Sequence, residues 1–299
     1  MKKNKNIILN GLIDLAQPRL GTKVVYKTDE FFAAAKRIIE PSPPIFKEGV
    51  FDKNGKWMDG WETRRKRKSG NDYLILKLGK PGRIHRVDID TSYFNGNQPN
   101  KVSLDVCSSK KNIPKKNQKW KNILSQKTTG PNRHHFFNVK KTSVITHLRL
   151  NIFPDGGIAR LRLFGELENK KFESKIINLT SVLNGSVPIA CNNEHFGRAE
   201  NVLAPGQGKN MGDGWETRRS RGKNFDWLII KCAAAAKIDK IQIDTHHFKG
   251  NYPDQCSIQA AYVNGKASAN TIINKSKSWK LLLNKSKLHA HKKHNFLNK

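Results

Sequence analysis

Apolar residues in this chain gather in short alternating runs rather than in helical stripes. Residues 73–78, 86–90, 102–106, 148–152 and 161–164 form such runs, and 227–231 and 240–244 have the same texture. A period of two sends the apolar set to one face of a strand. Turn chemistry separates the runs, as in Asn95-Gly96-Asn97 and Asp155-Gly156-Gly157. Only residues 29–39, acidic at the start and with Lys36 and Arg37 near the end, carry a helical pattern. Many short strands joined by polar turns predict an all-β protein built from jelly-roll β-sandwiches.

The pattern occurs twice. Asp59-Gly60-Trp61-Glu62-Thr63-Arg64-Arg65 returns unchanged as Asp213-Gly214-Trp215-Glu216-Thr217-Arg218-Arg219, a shift of 154 positions (213 − 59). The same shift relates residues 72–77 to 226–231 and 90–99 to 244–253. Upstream, Leu15, Gly21, Glu30 and Phe32 answer Leu179, Gly185, Glu194 and Phe196; the longer first copy takes up the difference at Pro41-Ser42-Pro43-Pro44. Downstream, residues 120–137 answer 279–296. A period of domain length predicts two tandem β-sandwich domains, residues 1–168 and 169–299. Residues 141–167, which read as two strands around Pro154-Asp155-Gly156-Gly157, have no counterpart in the second repeat. The second sandwich is therefore expected to lack its last strands and to expose sheet edges.

Composition narrows the classes. The four cysteines show no paired spacing, which argues for a reducing, cytoplasmic setting and against a disulfide framework or structural zinc. Asn10, Asp14 and Gln17 interrupt any signal-peptide core, and no stretch is long and apolar enough for a membrane helix. The net charge of +32 would draw the chain to nucleic acid. Lysine supplies most of it (41 Lys against 15 Arg), and no nucleic-acid-binding motif accompanies it. The chain is thus read as a basic protein with no specific nucleic-acid partner and no membrane partner.

The repeated words concentrate chemistry. Adjacent arginines, Arg64 with Arg65 and Arg218 with Arg219, suit bidentate capture of a carboxylate. Asp59, Glu62, Asp213 and Glu216 can accept hydrogen bonds from amide-like N–H groups or move a proton. Trp61 and Trp215 bring a large ring to an otherwise polar word, and Gly60 and Gly214 imply close backbone approach or unusual dihedrals. The alternative is a surface strand with internal ion pairs. Asp90 with Thr91 and Asp244 with Thr245 end strands, and Asn97 and Asn251 follow in rigid turns that either wall a pocket or simply close a loop. His246 replaces Ser92 and is a candidate ligand or proton carrier of the second copy. His147 and Arg149 share one strand face and either join an anion site or pack on a neighbour. His289, His291 and His294 read as a basic tail rather than a metal site.

These words resemble allantoicase. The carriers are both Asp-Gly-Trp-Glu-Thr-Arg-Arg words, both Asp-Thr…Phe…Gly-Asn…Pro words, and Thr146-His147…Pro154-Asp155-Gly156-Gly157…Arg160-Leu161-Arg162, with support from residues 14–21 and 29–33. The resemblance spans residues 12 to about 296. It implies two galactose-binding-like jelly rolls, the second normally carrying its own Pro-Asp-Gly-Gly ending. It also implies hydrolysis of allantoate to ureidoglycolate and urea in purine breakdown. An arginine pair would clamp the substrate carboxylate. Asp59, Glu62, Asp90 or their second-copy equivalents would orient ureido groups and move protons. No cofactor is indicated with certainty; a divalent metal would have to be held by carboxylates. A homo-oligomer is expected. The alternative is an inactive relative that binds a small anion or carbohydrate through the sandwich.

Overall fold

The computed structural model describes residues 6–140, 142–168, 176–220 and 225–297. The chain divides into two compact units, Leu12–Lys170 and a second made of Met1–Gly11 with Lys171–Lys299. Among the described residues both are all-β apart from short 3-10 turns and one α-helix, Ala269–Ser276. The protein is a tandem of jelly-roll β-sandwiches.

In the first unit one long strand, Asp72–Asp90, serves both layers. Its first half pairs with Ile145–Phe153 and Lys23–Lys27, and its second half with Arg160–Leu167 and His134–Asn138. Ile145–Phe153 pairs on its other edge with Lys101–Cys107, which in turn pairs with Lys121–Thr128. The inward faces carry Leu74, Leu76, Leu104, Leu148 and Leu150 from one layer and Val87, Ile89, Leu161 and Leu163 from the other, all with no exposed surface. Fully burying each such side chain is worth roughly 1.5–3 kcal/mol. This core holds the loops at the sandwich's end in place.

The second unit is assembled from separate pieces. Val187–Cys191 pairs with Ile7–Ile8 on one edge and Leu228–Lys231 on the other. Lys240–Asp244 pairs with Lys293–Leu297, and Gln255–Ala260 with Lys280–Lys287. Among the described residues no strand joins Leu228–Lys231 to Gln255–Ala260. In the first unit Ile145–Phe153 fills that place. The consequence is visible in packing: Leu228, Ile230 and Ile258, counterparts of the fully buried Leu74, Leu76 and Leu104, are only half-buried.

Two local expectations need correction. Residues 29–39 do not form one helix; only Ala35–Ile39 winds, as a 3-10 turn. Ala33 instead exchanges backbone hydrogen bonds with Glu62, and Ala35 N–H donates to the Glu30 carboxylate, so the preceding backbone is extended and the helix cannot start earlier. The helix Ala269–Ser276 was hidden among lysines, although its signals are present. Ser268 caps Thr271 N–H, and Ile272 and Ile273 pack toward Ala190, Ile229, Trp227 and Trp279.

Candidate functional site

Each repeated word is a loop tied to its sandwich by the same hydrogen bonds. Trp61 donates its indole N–H to the Asp29 carbonyl (2.7 Å), and Trp215 donates to Asn193 (2.8 Å). Glu62 accepts from the Asn97 amide at 2.8 Å, and Glu216 from Asn251 at 2.5 Å. Thr91 donates its hydroxyl to the carbonyls of Gly130 and Arg133, as Thr245 does to those of His289 and Lys292. The threonines therefore lock loops. Trp61, fully buried, lies beneath the site as core rather than lining it. Gly60 and Gly214 are places of close approach: a Cβ at Gly60 would strike the Ile158 carbonyl, and one at Gly214 the Phe248 ring.

In the first repeat the word is closed. Its Trp61–Glu62 strand pairs with Gly157–Ile158, Thr63 exchanges hydrogen bonds with Gly156, and Lys66 N–H donates to Asp155. Asp59 is bound to the buried Arg160 (2.7 Å), whose remaining N–H groups donate to the carbonyls of Ser42, Asp59 and Ala159. That pair anchors the Pro41–Pro44 loop, which accounts for Asp59 without chemistry. Arg64 forms a fork on Asp29 (3.0 and 3.4 Å) and lies over Phe31. Burial alone would raise the Asp29 carboxyl, but the Arg64 backbone N–H and guanidinium outweigh it and hold it below the usual carboxylate value. Arg65 is exposed, with no partner among the described residues. Asp90 is buried and accepts from Ser92 N–H, with His134 3.8 Å from its other oxygen.

Glu62 has an amide rather than a guanidinium as its side-chain partner. It is 9% exposed, and desolvation raises its carboxyl above the ordinary range against the opposing hydrogen bond from Asn97. Beside it opens a cavity of about 260 Å³ lined by Phe46, Lys56, Met58, Tyr93, Asn95 and Asn97. The larger cavity, about 480 Å³, lies across Asp29, Phe31, Arg37 and Asp52.

The second repeat keeps the frame and changes the groups. Asn193 stands where the first copy has Asp29, so Arg218 receives no carboxylate; its guanidinium meets His195 Nδ1 at 3.2 Å, and its backbone N–H donates to Asn193. Arg219 is exposed. Asp213 accepts from Lys209 N–H, and Glu216 is less buried than Glu62. Asp244 accepts from both the backbone N–H (2.9 Å) and Nδ1 (2.7 Å) of His246. An ionised carboxylate accepts only, so Nδ1 carries a hydrogen, and in the neutral ring Nε2 of His246 presents a lone pair.

His147 and Arg149 are not brought to these loops. They sit mid-strand on Ile145–Phe153, paired across from Lys77 with Cys107 and from Ile75 with Asp105. From Phe153 to His147 is about 20 Å of extended chain. His147 is buried, with its ring nitrogens on Thr146 and the Asn112 carbonyl; burial lowers its pKa despite that carbonyl. Arg149 is paired with Asp105 at 2.9 Å between the rings of Tyr73 and Trp120. Both are packing elements of the sheet's outer face. Among the described residues no three His, Cys, Asp or Glu side chains converge as a metal site, and no helix is long and apolar enough to cross a membrane.

Fold and loops define the class, a duplicated β-sandwich protein with carboxylate, amide and guanidinium groups at equivalent positions of each repeat. Residues 13–168 and 177–299 each match the allantoicase repeat. The chain is 47% identical over 288 residues to the "Probable allantoicase" of Pseudomonas fluorescens (strain Pf0-1), covering 95% of this chain and 87% of that one. It is 43% identical to "Probable allantoicase 2" of Burkholderia mallei, covering 95% and 85%. The crystal structure of allantoicase from Saccharomyces cerevisiae superposes with a TM-score of 0.78 at 34% identity, covering 96% of this chain and 85% of that one. The chain belongs to the allantoicase family.

Proposed function

We propose that the protein converts allantoate and water to ureidoglycolate and urea, and that the second-repeat loops carry the proton-transfer step. The carboxylate–amide pair, Glu62 with Asn97 and Glu216 with Asn251, carries the reading. It recurs in both copies beside arginines, and a carboxylate next to a primary amide matches the donors and the carbonyl of a ureido group. Arg218 and Arg219 hold the substrate carboxylate, because Arg218 has no carboxylate partner whereas Arg64 is neutralised by Asp29. His246, oriented by Asp244, takes a proton from the attacking water. Oxygen then bonds to the central carbon, the C–N bond to one ureido group breaks, and the leaving nitrogen gains a proton to become urea.

Release of urea and ureidoglycolate from allantoate tests this. The native chain is expected to turn over, and Glu216→Gln and Arg218→Ala each to lose at least about tenfold in kcat/KM. Stabilisation by allantoate without product would move the chain to the anion-binding alternative.

A further inference from the structure

In the folded second repeat, the residue that sequence patterning consigned to a basic tail, His291, lies against the Asp244–His246 pair. Its ring centroid is 4.7 Å from that of His246 and 5.7 Å from that of His247. The hydrogen bonds fix how each ring presents itself. His291 Nδ1 accepts the backbone N–H of His247 at 2.9 Å, so the ring hydrogen is on Nε2. His246 Nδ1 donates to Asp244, so in the neutral ring its Nε2 is a lone pair. His247 donates Nε2–H to the Gly208 carbonyl at 2.8 Å and is held there. One fixed donor thus sits beside one fixed acceptor.

The first repeat shows that the frame does not need these rings. Tyr93 N–H donates to Asn132 Oδ1 at 2.9 Å, the same bond made with other groups. The left-handed backbone recurs as well, φ 68° at Tyr93 and 48° at Asn132 against 71° at His247 and 51° at His291. Such φ values are uncommon for residues with a side chain and are kept where the surrounding structure over-determines them. The frame is common to both copies, whereas the imidazoles belong to the second alone.

We infer that His246 and His291 form an acceptor–donor imidazole pair that receives the departing ureido group, with His291 Nε2–H donating to its carbonyl while His246 takes the proton of water. This rests on the proposed hydrolysis for its chemistry. It makes His291 a further catalytic residue and the second repeat the working one. Atoms balance: the proton His246 removes from water returns to the leaving nitrogen, and His291 keeps its own.

The test uses His291→Asn, which copies Asn132 and retains the acceptor for residue 247. N-carbamoylglycine, a carboxylate bearing a single ureido group, is titrated into the protein while the histidine side-chain NMR signals are followed. The signals of His246 and His291 are expected to shift in the native chain, and binding to weaken at least about tenfold in the variant. With allantoate the variant is expected to lose about 100-fold in kcat and to raise KM about tenfold with the melting temperature kept, within the range for a proton-transfer site. His289→Gly, which copies Gly130 outside the pair, should turn over like the native chain. Unmoved signals, or native kcat in His291→Asn, would overturn the inference. A loss of kcat that follows a lowered melting temperature would overturn it too, marking His291 as scaffold. Shifted signals without urea release from the native chain would instead sink the hydrolysis and leave a ureido-binding site.

Discussion

The two copies of Asp-Gly-Trp-Glu-Thr-Arg-Arg are identical in sequence and different in environment. The first is sealed by Pro154-Asp155-Gly156-Gly157 and by Arg160 on Asp59, and Asp29 neutralises its Arg64. The second has no described counterpart of that seal, has Asn193 in place of Asp29, and faces a loop rich in histidine. Identical words can therefore serve unlike ends. In the first copy Arg64 and Asp59 are paired with Asp29 and Arg160, while in the second the Arg218 guanidinium meets His195 instead of a carboxylate. Duplication preserved the frame, seen in the tryptophan and glutamate hydrogen bonds shared by both copies. Divergence acted on the neighbours.

The largest expected effect comes from giving the second repeat what the first has. Supplying a copy of residues 141–167 after residue 299 should fill the place between Leu228–Lys231 and Gln255–Ala260. Completing burial of Leu228, Ile230 and Ile258 is worth roughly 1 kcal/mol or more each, and the melting temperature should rise by roughly 10 °C. Calorimetry would show it, together with slowed amide exchange in both flanking strands. An unchanged melting temperature would mean that something other than missing strands sets the exposure of those residues.

Next in size is an exchange at one position. Asn193→Asp gives Arg218 the partner that Arg64 has, and KM for allantoate should rise about tenfold while kcat holds. Since the Asp29 carboxyl sits below its ordinary value, an equivalent aspartate would be ionised at neutral pH. The reverse change, Asp29→Asn, frees Arg64 but leaves turnover alone if the second repeat works by itself. Steady-state kinetics on the two variants would break the comparison if their effects were equal.

Much of this was legible in the sequence, because strand alternation and a seven-residue identity survive without any knowledge of contacts. The duplication and the jelly-roll class follow from spacing alone. The division of labour inside the words does not. That Asp59 belongs to Arg160 depends on a contact between residues 101 positions apart. Trp61 could not be told from a ligand platform, since a tryptophan in a polar word is buried or exposed only by what folds over it. His291 was hidden because lysines surround it in sequence while imidazoles surround it in space. The signal that could have found it was the alignment itself, which sets His246, His247 and His291 opposite Ser92, Tyr93 and Asn132.

A smaller effect would sharpen the contrast in the closed word. Burial raises the Glu62 carboxyl above its ordinary value of 4.5, so between that value and the folded one the native state binds more protons than the unfolded. Stability contributed at this site therefore falls as pH rises through that window. Glu62→Gln keeps the acceptor for Asn97 and removes the charge, and it should stabilise the first unit at pH 7 by about 1 kcal/mol. The gain should vanish below about pH 4.5, where both states are protonated. A gain that persisted at low pH would locate its source in packing.

The smallest effect is set by His134, where the copies differ again. The hydrogen bond to Asp88 (2.8 Å) raises its pKa above 6.5, overcoming burial, with the charges of Asp88 and Asp90 adding to it. Its stabilising contribution is fully present below pH 6.5 and is lost as pH rises through the folded value. The ring is half-exposed, so the effect should be no more than about 0.5 kcal/mol. The second copy has Lys293 here and Gln242 in place of Asp88. His134→Lys should flatten the stability of the first unit between pH 6 and 9 as measured by thermal melts. A slope that survived the substitution would transfer it to another group, and His134 would no longer distinguish the two repeats.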